Sequence, residues 1–96
     1  MFFFQHLVVG NGGLDNGVTR EIIYTLFSQY GQVLDVVMKK KAPYCFVSFN
    51  DVDSARLAFD GLHGQALQDL VETAPANVKI YLAYSNTSMS LFFAIA

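Results

Sequence analysis

The chain has 96 residues, enough for one domain with one modest core, and 53% of them are hydrophobic, which argues against an intrinsically disordered chain. A net charge of -2 and a pI near 5.4 argue against strong sequence-independent binding of nucleic acid, which needs many neutralised phosphates. A single cysteine excludes an intramolecular disulfide and a thiolate metal cluster.

Met1-Phe2-Phe3-Phe4 is apolar but too short for a signal-peptide core or a membrane span. The first strand is predicted within Gln5 to Asn11, around the apolar run Leu7-Val8-Val9. It ends at Gly10-Asn11-Gly12-Gly13, and the loop continues through Leu14-Asp15-Asn16-Gly17. That loop is no phosphate loop: no Gly-Lys-Ser/Thr follows, and the glycine spacing misses the dinucleotide fingerprint. Thr19 is a good N-cap for a helix running to about Tyr30. Ile22, Ile23, Leu26, Phe27 and Tyr30 give it one apolar stripe, and Gly31 is read as its C-terminal stop. Valine-rich Gln32 to Met38 reads as the second strand. Lys39-Lys40-Lys41 and Pro43 make the next turn.

The third strand, Tyr44 to Phe49, alternates strictly. Cys45, Val47 and Phe49 take one face, and Tyr44, Phe46 and Ser48 the other. Two rings side by side next to a lysine run suit unpaired, stacked nucleic-acid bases. Taken alone, the run fits equally well a strand whose rings are simply core. Cys45 falls on the inward phase, as a small buried hydrophobe. A second helix starts at Asp51 or Asp53, with Val52, Ala55, Leu57, Ala58, Phe59 and Leu62 as its apolar positions, and ends at Leu62-His63-Gly64. Gln65 to Ala76 shows no clear period and is interrupted by Pro75. Asn77 to Tyr84 alternates as a fourth strand. Val78, Ile80, Leu82 and Tyr84 lie on one phase, with Lys79, Tyr81 and Ala83 on the other. After the polar break Ser85-Asn86-Thr87-Ser88, Met89 to Ala96 turns apolar. This end is expected either to fold over the sheet or to mark a truncated product, and it too is short for a membrane span.

Strand, helix, strand, strand, helix, strand is the ferredoxin-like, split-βαβ order of the α+β class. It predicts a four-stranded antiparallel sheet with two helices on one face and the other face open, over a domain of residues 5–84 with apolar extensions at 1–4 and 85–96. Function must then come from the open face.

Over Gln5 to Tyr84 the chain resembles the RNA recognition motif family. Thr19, Ile23, Phe27, Tyr30, Gly31 and Val33 fall where that family has its first-helix signature. Ala55, Ala58, Leu62 and Gly64 match its second-helix pattern. Leu7 to Gly12 sits at its short hexamer, with the family's asparagine at Asn11, and Ala42 to Phe49 at its long octamer. Within the family, Gln5-His6-Leu7-Val8-Val9, the loop Asn11 to Leu14 with Asn16-Gly17-Val18, and Pro43-Tyr44 resemble the N-terminal motif of AlkB-homologue proteins that modify the wobble uridine of tRNA. Those proteins join this motif to an Fe(II)/2-oxoglutarate hydroxylase and a methyltransferase. The resemblance covers the binding module alone, so this chain is expected to carry neither catalytic domain and no cofactor.

The resemblance implies an RNA partner, specifically tRNA. A monomer is expected, and the single cysteine and the short apolar ends point to the cytoplasm or nucleus with no membrane role. It makes Tyr44 and Phe46 base-stacking residues. Lys39, Lys40 and Lys41 become backbone contacts, and Asn11 a base-edge contact or a turn cap. On the fourth strand, Tyr81 offers a further ring or hydroxyl and Lys79 a phosphate contact. Two positions depart from the family. Val8 stands where a stacking aromatic is usual and is expected to contact RNA by packing flat against a base without an aromatic face; Ala42 stands where a basic residue is usual, with Lys41 one place early. The missing platform is expected to weaken binding about 5- to 150-fold. These departures favour the alternative, a module that kept the fold for a protein partner on the sheet or on the helical face. A small acylphosphatase-like enzyme shares the topology but needs an arginine in the loop after the first strand, where no basic residue precedes Arg20. His6 and His63 lack partners at metal-ligand spacing, and no catalytic constellation can be placed.

Overall fold

A computed structural model describes residues 4–85. Strand β1 (His6–Gly10) leads through a 3-10 turn (Leu14–Asn16) to helix α1 (Arg20–Ser28). Strands β2 (Val33–Met38) and β3 (Tyr44–Phe49) follow, then helices α2 (Val52–Leu62) and α3 (Leu67–Leu70), and strand β4 (Tyr81–Ser85). The strands form one antiparallel sheet in the order β2-β3-β1-β4, the ferredoxin-like arrangement.

Local chemistry starts both long helices. The Thr19 hydroxyl accepts the Ile22 N–H at 3.2 Å, and the Asp51 carboxylate accepts the Ser54 N–H at 2.7 Å, each relieving an amide that the helix cannot pair itself. Asp51, not Asp53, is therefore the cap of α2. Helix α1 packs on β2, and α2 on β1, β3 and β4, so both lie on one face. Beneath them Leu7, Val9, Cys45, Val47 and Phe49 are fully buried, and the Phe49 ring meets that of Phe27 at 6.2 Å. Burial pushes the Cys45 thiol up to about 12, which keeps it protonated and inert.

Three expectations change. The first helix ends at Ser28, and Gly31 does not take the left-handed conformation of a helix stop. A Cβ at Gly31 would clash with the Ser54 hydroxyl, so this glycine serves the close approach of α2. The fourth strand joins the sheet only at Tyr81, because its partner β1 ends where Gly10 faces Tyr81 and Asn11 turns with φ 66°. Lys79 is thus outside the strand proper: its stretch pairs with the segment after α2 through an Ala66–Lys79 bridge. That pairing also organises the stretch without a period: Leu67 N–H bonds the Val78 carbonyl at 2.7 Å, and Ile80 N–H the Gln65 carbonyl at 2.9 Å. The short α3 fits inside this closure as an element beyond the two helices expected. The apolar stretch Met89 to Ala96 lies outside the described residues.

Candidate nucleic-acid interface

The register arranges the open face in rows across the strands. Tyr81, Gly10 and Tyr44 form one row. Ala83, Val8, Phe46 and Val37 form the next. Ser85, His6, Ser48 and Asp35 form the third. Because β-strand side chains alternate, these residues point away from the helices that cover Cys45, Val47 and Phe49.

The two rings of β3 meet edge to face, with centroids 5.4 Å apart and planes at 79°. Tyr44 is 38% exposed and Tyr81 52%. Between them Gly10 adds no side chain, so the tyrosine row is two rings separated by a bare backbone, about 10 Å apart at two strand spacings. Phe46 is half-buried at the sheet centre, beside Val8, which supplies a small apolar floor in place of a ring.

Charge is polarised along the strands. Lys39, Lys40 and Lys41 precede Tyr44, Lys79 precedes Tyr81, and Asn11 follows Gly10, so all five gather at the tyrosine end. The lysines are exposed. The β2–β3 turn is held by the Ala42 N–H to Lys39 carbonyl bond at 3.1 Å and by a left-handed Lys41, φ 73°. A Cβ on Gly13 would clash with the Ala42 carbonyl oxygen, so the loop after β1 packs directly against this turn. The Asn11 amide donates to the Lys79 carbonyl at 2.6 Å, and Asn16 donates to the Asn11 carbonyl at 2.9 Å. One N–H of the Asn11 amide is therefore used in joining the two loops, and its second N–H and side-chain oxygen are the groups it can offer a base edge.

Asp35 marks the opposite end. There His6 Nδ1 lies 2.8 Å from the Ser48 hydroxyl, and Ser48 is buried. Burial holds the His6 imidazole below its ordinary value, favouring the neutral ring. His6 and Ser48 thus belong to the open face. The period-two phase of β1, which places His6 with Val8, would have put His6 there from sequence. Among the described residues no group of three metal-ligating side chains converges, and no helix is long and apolar enough to cross a membrane.

Residues 7–71 match the family model of the RNA recognition motif. The chain is 36% identical over 80 residues to the tRNA (carboxymethyluridine(34)-5-O)-methyltransferase of Xenopus tropicalis, covering 83% of this chain and 12% of the relative. With the Mus musculus enzyme of the same name it shares 35% over 65 residues, covering 68% of this chain and 10% of the relative. The chain thus spans a small part of these relatives. Among solved structures, the RRM domain of S. pombe Puf1 superposes with a TM-score of 0.68 at 28% identity, over 85% of this chain and 99% of that one. A Sxl-lethal protein/RNA complex also gives 0.68, at 18% identity over 84% of this chain and 47% of that one, a likeness of fold.

Proposed function

Because this chain belongs to the RNA recognition motif family, we propose that its open sheet binds RNA, that the RNA is tRNA, and that the module serves as the recognition part of a wobble-uridine modification enzyme. The observation that carries this reading is the row of exposed tyrosines with four lysines at the same end of the sheet. Rings accept bases by stacking, and the lysines beside them meet the phosphates that follow. The tRNA assignment draws on the identity to the methyltransferase relatives, whose names state a tRNA substrate. On this reading the module supplies binding and no chemistry, acts as a monomer, and works in the cytoplasm or nucleus.

Val8 at the central platform and the net charge of -2 make the contribution of the sheet weak by itself. They favour a second reading, a protein-interaction module that has given up RNA. Titration with a tRNA transcript, followed by amide chemical shifts, separates the two. RNA binding predicts shifts at Tyr44, Phe46 and Tyr81, affinity that falls with salt, and a loss of about 5- to 150-fold on Tyr44→Ala or Phe46→Ala. Replacing Lys39, Lys40 and Lys41 by glutamine lowers the affinity and flattens its salt dependence. Affinity unchanged in all of these variants, or shifts confined to the helical face, overturns the RNA reading.

A further inference from the structure

Outside the tyrosine row, a second set of rings lies at the outer edge of β4. Phe59, near the end of α2, stacks on Tyr84 from β4 with centroids 4.9 Å apart and planes at 10°. Its other contact is His63, stacked at 4.7 Å and again 10°. Tyr84, Phe59 and His63 are therefore three nearly parallel rings, with His63 at the solvent end, where it is exposed. His63 in turn meets Tyr81, a member of the open face, at 5.9 Å and 68°. A continuous path of rings runs from the open face round the sheet edge to the flank of α2.

The His63 ring is held in place and in one tautomer. Its Nδ1 accepts the Leu82 N–H at 2.9 Å, so that nitrogen carries no proton and a neutral ring bears its proton on Nε2. The backbone beyond it is uncrowded: a Cβ built on Gly64 would meet nothing within 4 Å. The charged groups near the stack are Arg56 and Asp60, which act on Tyr84, and Lys79, two residues before Tyr81. Lys79 is exposed, so a cation lies at the Tyr81 end of this path.

We infer that bound RNA continues past Tyr81 around the edge of β4, and that the exposed His63 ring stacks on one further base there. This rests on the sheet binding RNA and adds a subsite to it. A pre-stacked ring with its backbone bond already made loses little freedom on meeting a base, which suits it to the role. Stacking on a ring is also tolerant of base identity, so the subsite adds length to the footprint more than sequence preference.

Binding of a mixed-sequence RNA trinucleotide and hexanucleotide to the whole chain tests this, with His63→Ala and His63→Phe beside the unaltered protein and thermal melting as the check on folding. The expected result is that His63→Ala weakens the hexanucleotide about 5- to 10-fold and leaves the trinucleotide unchanged. His63→Phe, which keeps a stacking ring but cannot accept the Leu82 N–H, restores hexanucleotide binding. Unchanged hexanucleotide affinity in His63→Ala overturns the subsite alone. Failure of His63→Phe to restore affinity assigns His63 to the β4 backbone and also overturns it. If the unaltered protein binds neither oligonucleotide, the sheet reading falls, and the subsite with it.

Discussion

The two faces of β3 are made from six consecutive residues and could hardly differ more. Cys45, Val47 and Phe49 are completely buried under the helices, while Tyr44 on the other face leaves 38% of its surface to solvent and Phe46 lies half-buried beside it. A shift of one residue exchanges them. Large aromatics therefore occur on both faces, and residue type alone does not say which ring holds the fold together and which is offered to a ligand. The neighbours decide: Phe49 is met by the Phe27 ring from α1, whereas Tyr44 is bordered by bare Gly10.

The sharpest way to break this contrast is to truncate one ring on each face. Phe49→Ala removes a fully buried ring and is expected to cost about 3–5 kcal/mol in a denaturant melt. Phe46→Ala is expected to cost about half of that or less, with its main effect on RNA affinity. Equal stability losses would show that both faces are core. Next in size, Val8→Tyr restores a ring to the centre of the sheet, between Phe46 and the small Ala83. An RNA affinity gain of about tenfold is expected by fluorescence anisotropy. No gain would place the RNA path away from β1.

The smallest effect is one of pH. Burial lowers the His6 value in the folded chain below 6.5, so the unfolded chain takes up a proton first as the pH falls. Stability is therefore complete above 6.5 and declines as the pH drops from there toward the folded value. His6→Gln is expected to flatten that part of a pH series of thermal melts. An unchanged slope would assign the decline to another group. Asp51 acts in a more acidic window. Its carboxylate is held below the ordinary range by the Ser54 backbone N–H, so its contribution is present above the unfolded value and is lost as pH falls through the folded one.

Much of the interface is legible in the sequence because strand alternation is local. Tyr44 and Phe46, and Tyr81 with Ala83, are two residues apart and must share a face wherever their strand goes. The caps at Thr19 and Asp51 are equally local, since each side chain reaches an amide three residues on. Other features depend on partners far along the chain. The Asn11 nitrogen is committed to a carbonyl 68 residues away. Gly31, in the turn after α1, answers to Ser54 on α2. His63 ends α2, yet its ring serves β4. No period reveals such pairings.

By itself, the sequence determined the period of each long element, the phase of each strand, the helix starts and the presence of two rings and a lysine run around one turn. These follow from backbone geometry and from bonds spanning a few residues. Long-range pairing placed Lys79 at the same end of the sheet as the other three lysines, brought β4 into the sheet at Tyr81, and set His63 on a stack of rings at its edge. Those depend on which strands lie side by side and where each runs out of partner, and hydrogen-bond register between distant segments is settled only when the whole chain has folded.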